Sequence, residues 1–478
     1  MIHKTRRDFM KFSFLTSATL LLPGQPRRPP AVGIPGQDQR EQFLRAVMGG
    51  DLGLVRRLLT ENSGLLAVRD REGRSAFSLA LLNQHADIGN LLVEVGHDVD
   101  AHEAALAKDW ERFQVLTSQA PEVVNRNHPI GGTTMLAAAL GGPGADMWRI
   151  YAVAGDPNLH PRGRDGISPL QAALRYPDLE VAELTAATLL GNATNPNPPT
   201  RGDSSPLHIA AQRGSVEMIE MLIRLGADPE AQDRDSRTPV QAAEVAGHRE
   251  AAALLRRHRE IPRTHSSSRT AYDVHGRAYM PADISDVPIL QRRQVVGSSH
   301  GDLEAVRKAV DRDPRLCHSV ATTSEICVEA CAHTGRKPIV EYLLEKGAPY
   351  SLPTSVMMGD MGRAKQLLDE DPARIHERGA HDFALLWYPV IGRCGRAMTE
   401  LLLERGARVE EQHYLGTTAL HWASMRGPVE LVELLIENGA DVNRRGRKFA
   451  AKGETPLQSA VNREQTEIAQ LLRRHGAK

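Results

Sequence analysis

Gly416 to Asn443 reads GTTALHWASMRGPVELVELLIENGADVN, and it divides into two short helical patterns. In the first, Leu420 and Ala423 lie three residues apart and share one face. Gly427 is expected to break that helix with a positive φ, which only glycine adopts without steric cost. Pro428 suits the first position of the second helix, where a missing N–H costs nothing. Leu431, Leu434 and Leu435 form its apolar stripe, and Gly439 stands where a left-handed residue stops the helix. One such hairpin cannot bury both its faces, so a neighbour must cover it.

The same pattern recurs outward from this stretch. Ser205-Pro206-Leu207-His208 stands 33 residues before Thr238-Pro239-Val240-Gln241, and Thr455-Pro456-Leu457-Gln458 follows Thr418 after 37. Ser168-Pro169-Leu170-Gln171 opens another unit. Weaker units share a turn, Gly50-Asp51-Leu52, Gly301-Asp302-Leu303 and Gly359-Asp360-Met361. A fixed period near 33 marks a repeat architecture. The stretch resembles an ankyrin repeat, whose pattern reads T-P-L-H-x-A-A-x-x-G, a second helix, then G-A-D-V-N. That resemblance implies an all-α solenoid of helix–turn–helix repeats with protruding β-turn loops and a protein-binding role. About thirteen repeats are expected, in arrays at 38–260 and 289–478, joined by a linker or inserted loop at 261–288.

A chain of 478 residues exceeds one hydrophobic core. Only 4% of it is aromatic, which fits layers of small-residue helices better than a large enzyme core. Lys+Arg and Asp+Glu both number 59, so no global charge calls for nucleic acid or a membrane surface. Residues 1–37 are expected to be a signal and a Pro-rich linker. Thr5-Arg6-Arg7-Asp8-Phe9-Met10-Lys11 resembles the bacterial twin-arginine motif, with Arg6, Arg7 and Phe9 at its defining positions. The apolar run Phe12 to Leu22 that follows is too short for a transmembrane helix, which needs ~20 residues. The resemblance implies export to the periplasm or beyond by a bacterium, with no membrane span after signal removal. A cytoplasmic scaffold with a misleading N-terminus is the alternative.

Chemistry is sparse. Gly297-Ser298-Ser299-His300-Gly301 matches G-x-S-x-G, which would make Ser299 a hydrolase nucleophile. That motif needs a preceding strand, whereas QRRQVV looks like the first helix of a repeat. His208 and His421 occupy the fourth tetrapeptide position, where the resemblance implies bonds to neighbouring backbone. Cys327 and Cys331 lie four apart, and Cys331 reads as a small core residue. Neither set has zinc-ligand spacing, so no metal or cofactor is expected, and no enzyme. The basic run Arg444 to Lys448 and the triplet Arg201-Gly202-Asp203 read as solvated loop tips. Partners are expected at loop tips and first-helix faces, which here include Gln212, Arg213, Tyr414, Met425, Arg426, Arg447 and Phe449.

Overall fold

The computed structural model describes residues 35–478 apart from 72, 127, 129–132, 141–146, 153–154, 160–166, 193, 200–203, 262–283, 285, 415 and 447–452. Arg6, Arg7, Phe9, the Arg201-Gly202-Asp203 triplet, Arg447, Phe449 and most of the expected linker lie outside the described residues. Among those described, α-helices fall into thirteen consecutive pairs from Gln37–Gly49 to Thr466–Arg474, and no strand occurs. Single antiparallel bridges, Arg69 with Ser75, Val320 with Ile326 and Arg378 with Ala384, pin the turns before three of the first helices. No described helix is long and apolar enough to cross a membrane.

Two compact units result, Met1–Ile150 with Leu159–Ala172, and Tyr151–Asn158 with Ala173–Lys478. The division between them falls near residues 150–172. In the second unit, chain that precedes residue 261 packs on chain that follows 288. Arg224 holds Asp382 through two hydrogen bonds of 2.9 and 2.8 Å. His381 Nδ1 bonds Asn192 Oδ1 at 2.9 Å. From Ile284 to Leu472 most of the buried apolar residues form one contiguous core.

The well-formed repeats begin where a hydroxyl can cap a helix. Ser205, Thr238, Thr418 and Thr455 each form a capping box with the residue three positions on. At Ser205 and Thr418 that residue is a histidine whose second nitrogen reaches the next loop. His208 Nε2 donates to the Arg237 carbonyl at 2.7 Å, and His421 Nε2 to that of Glu454 at 3.2 Å. In the first unit a carboxylate fills this place. Glu103 accepts from Ser75, from Ser78 at 3.2 Å and from His97 at 2.9 Å.

Burial pushes the His421 pKa down to about 4, so the ring is neutral and both bonds are made at pH 7. The unfolded chain then binds this proton more readily than the folded one. The stability is complete above about pH 6.5 and falls as the pH drops towards about 4. His421→Gln is expected to remove about 1–3 kcal/mol at pH 7, and to flatten the pH slope between those values. Urea midpoints at pH 7.5 and 5 would measure both effects. Equal slopes for the two proteins would refute the assignment.

The weaker repeats use other chemistry at the same turn. Gly50 and Gly359 close the first helix at φ +77° and +81°, and the following aspartate caps the second helix. Asp51 accepts from Leu54 N–H at 2.9 Å, Asp302 from Ala305 at 3.0 Å and Asp360 from Arg363 at 2.9 Å. A 3₁₀ turn then replaces the usual ending, at Ser63–Ala67, Pro314–His318 and Pro372–His376.

Gly427 departs from expectation. Its φ is −79°, in extended backbone. Glycine is needed there because a Cβ would approach the Ala423 backbone to 2.8 Å. Pro428 accordingly caps the second helix, which starts at Val429. Gly439 does take a positive φ, +89°, and Leu431, Leu434 and Leu435 are buried.

Candidate functional site: the first-helix ends of the second unit

In three successive repeats an arginine stands at the end of the first helix. Arg393 is the C-cap of Tyr388–Gly392, Arg426 ends Ala419–Arg426, and Arg463 is the C-cap of Pro456–Asn462. All three are exposed. Arg426 lies with its guanidinium carbon 4.5 Å from the Trp422 ring centroid. Partial burial, then repulsion from Arg463 and Arg393, lowers its pKa below the ordinary value. Arg426 thus feels the cations of the repeats on either side of it. Trp422 is in turn held by Trp387, at 5.1 Å, and Phe383, at 5.7 Å.

The residues expected to anchor a partner separate into different roles. Arg426 and Gln212 are exposed, and Met425 is half-buried. Arg213 is engaged internally, donating to the carbonyls of Leu174, Tyr176 and Pro177 at 3.2, 2.5 and 3.0 Å. It ties a neighbouring loop rather than offering a free guanidinium. Tyr414 is not at an exposed tip, because only 6% of it is accessible. Its ring fills the space above Gly191, where a Cβ would come within 2.8 Å. The packing of helix Leu179–Gly191 on the later repeats is what covers it.

Two and three repeats before Arg393, histidines cap the first helices. His300 is the C-cap of Ile289–Ser299, and His333 the C-cap of Cys327–Ala332. Between them, Glu325 lies buried in the loop that opens the second of these repeats. His381 enters from another such loop, in left-handed backbone at φ +55°, a region in which histidine is among the better tolerated residues. Glu325 Oε1 stands 3.4 Å from His300 Nε2, 3.2 Å from His333 Nδ1 and 3.2 Å from His381 Nε2.

Burial alone would raise the Glu325 carboxyl, but His381 and His300 hold it well below the usual range. Burial lowers the His333 pKa to about 3, leaving that ring neutral. At His300, Glu325 outweighs burial and raises the pKa. The expectation of no metal ligands weighed only the cysteines and the tetrapeptide histidines. The 33-residue spacing of His300 and His333 was the one signal available for this cluster.

Ser299 does not stand on a strand-to-helix turn. It is the last residue of Ile289–Ser299, fully buried, and its hydroxyl donates to the Val295 carbonyl at 2.9 Å. Such a hydroxyl has no approach to a substrate. Among the described residues no disulfide joins the cysteines, and Cys331, fully buried, donates to the Cys327 and Val328 carbonyls at 3.3 and 3.1 Å.

The family model described as ankyrin repeats (3 copies) matches residues 134–233, 185–265 and 390–478. A neurogenic locus notch homolog protein 4 of Homo sapiens is 33% identical over 114 residues, 22% of this chain and 6% of that protein. An ARF GTPase-activating protein of Homo sapiens is 42% identical over 66 residues, 14% of this chain and 8% of that protein. A probable 26S proteasome regulatory subunit p28 of Saccharomyces cerevisiae is 24% identical over 212 residues, 44% of this chain and 82% of that protein. The chain thus spans less than a tenth of each of the two human relatives.

Proposed function

Because this chain carries ankyrin repeats, we propose that it is a non-enzymatic scaffold, exported by a bacterium, that binds an acidic segment of a protein partner. The observation that carries the reading is the row Arg393, Arg426 and Arg463, exposed at the first-helix ends of three successive repeats. Arginine presents a rigid planar donor fork suited to carboxylates, and Trp422 holds the central one in place. Met425 adds an adaptable apolar contact beside it. Export rests on Arg6, Arg7 and Phe9 and the apolar run behind them. It would bring an already folded repeat array to an extracytoplasmic partner.

The test is to express the chain with its own N-terminus and a C-terminal tag, fractionate the cells, and identify what copurifies from the periplasm. The partner is expected to carry a cluster of acidic residues. Its affinity is expected to drop at least 100-fold, about 2.7 kcal/mol, for the triple change Arg393→Glu, Arg426→Glu and Arg463→Glu. Undiminished capture by that variant would place the interface elsewhere. Arg6→Lys with Arg7→Lys keeps the charge and is expected to strand the protein in the cytoplasm. An unsubstituted chain that stays in the cytoplasm with residues 1–35 intact would favour the cytoplasmic scaffold instead.

A further inference from the structure

We propose that His300, Glu325, His333 and His381 bind one divalent first-row transition cation, with zinc the best match, and that the ion staples three stretches of the second unit together. The four donor atoms all lie within 4.8 Å of one another. A tetrahedral zinc site with bonds of about 2.0–2.1 Å has donor–donor edges of roughly 3.3 Å. The three distances from Glu325 Oε1 to the ring nitrogens, 3.4, 3.2 and 3.2 Å, match those edges. Oε1 is fully buried and makes no well-formed hydrogen bond, although three nitrogens stand around it. Ring nitrogens arranged about a common point, rather than N–H groups aimed at the oxygen, produce that combination.

Charge balance argues the same way. One carboxylate neutralises one protonated imidazole, so an ion pair accounts for one histidine and leaves two rings crowded against it. Those rings meet at centroid distances of 4.9 Å for His300 with His333 and 5.0 Å for His333 with His381. A dication satisfies three neutral imidazoles and one carboxylate at once. Nitrogen and oxygen donors in this ratio suit zinc and its first-row neighbours, and exclude calcium and magnesium, which take oxygen.

The outer partners are those a ligating histidine uses. His300 Nδ1 donates to the Val296 and Gly297 carbonyls at 3.1 and 3.2 Å, which turns the Nε2 lone pair towards Glu325. His381 Nδ1 donates to Asn192 Oδ1 at 2.9 Å, with the same consequence. His333 Nδ1 lies 2.9 Å from the Glu329 carbonyl, so ligation exchanges that hydrogen bond for a metal bond. The ion would join the ends of two first helices to a loop further along, with Asn192 as a positioning residue from before the expected linker.

The full-length protein, purified without a metal-affinity resin and stripped with a chelator, should be titrated with zinc chloride against a chromophoric competitor. Cobalt(II) absorption would report coordination number. One equivalent is expected to bind, with the strong visible bands of a four-coordinate site and a rise in Tm. His381→Ala, on a loop and therefore tolerable to the fold, is expected to weaken binding at least 100-fold. Asn192→Ala is expected to weaken it about 10–100-fold while the cobalt spectrum stays four-coordinate. Circular dichroism of each stripped variant would separate misfolding from ligand loss. Absence of a stoichiometric ion in the folded wild type would overturn the proposal. So would wild-type affinity in both His381→Ala and Glu325→Gln, because the ion would then lie elsewhere.

Discussion

Asp382→Ala is expected to lower the unfolding free energy by about 3–5 kcal/mol, the cost of stranding a buried charge whose partner has been removed. Asp382 is 7% exposed and receives both Arg224 hydrogen bonds. Arg378, 2% exposed, stands 3.6 Å from it and also donates to the Asp382 and Gln412 carbonyls at 3.0 and 2.7 Å. Guanidinium groups do not shed their protons, so deleting the carboxylate leaves both charged and buried, with Glu411, 3.6 Å from Arg378, as a remaining counter-charge. Burial would raise the Asp382 pKa, but Arg224 and Arg378 lower it to about 2 against an ordinary 3.8. The unfolded chain therefore takes up this proton first as acid is added. The contribution of the pair is complete above about pH 4 and is lost as the pH falls through about 2. Urea midpoints for Asp382→Ala, Arg224→Ala and the double variant would measure it. The double variant is expected to lose less than the sum of the singles. A loss of ~1 kcal/mol or less for Asp382→Ala would mean that water reaches these charges.

That pair also marks what one repeat period can and cannot reveal. Capping at Ser205, Thr238, Thr418 and Thr455 was legible because each box is settled within four residues. The Gly-Asp turns were legible too, since the left-handed glycine and the capping aspartate are again adjacent. Tyr414 reads as an exposed tip in its own repeat and is buried by Gly191, 223 positions away. Nothing near either residue announces that contact. At Gly427 the residue type was predictable but its reason was not, because close approach to Ala423 and a positive φ both demand glycine.

The two candidate sites differ in the same respect. Arg393, Arg426 and Arg463 become visible once the sequence is folded at its own period, four inserted residues included. Of the metal cluster, His300 and His333 also stand at first-helix ends, whereas Glu325 and His381 come from loop tips. Loop tips obey no helical period, so only the stacking of repeats assembles the set. Side chains at equivalent positions line up without further design, which makes a row of first-helix ends an economical place to build either a binding strip or a metal site.

Gly392→Ala is expected to destabilise the second unit by more than about 3 kcal/mol, near the upper end of what overpacking costs. Gly392 ends Tyr388–Gly392, and a Cβ there would overlap the carbonyl oxygen of Met357 and come within 2.7 Å of Cys394 Sγ. The obstacle is backbone at the end of helix Leu352–Met358, which no rotamer change can clear. The same carbonyl accepts the Cys394 thiol at 2.8 Å, so separating the helices breaks that contact as well. Gly347→Ala supplies the control. Its φ is +92° and open space surrounds it, so only the left-handed penalty of about 1–2 kcal/mol is expected. Urea midpoints for the two variants should therefore differ by more than about 1 kcal/mol. Equal losses would show that the helix pair separates cheaply. Since Arg393 directly follows Gly392, a displaced helix moves the first cation of the arginine row out of line. Capture of the acidic partner is then expected to weaken in Gly392→Ala and to persist in Gly347→Ala, which ties the close helix approach to the binding strip it supports.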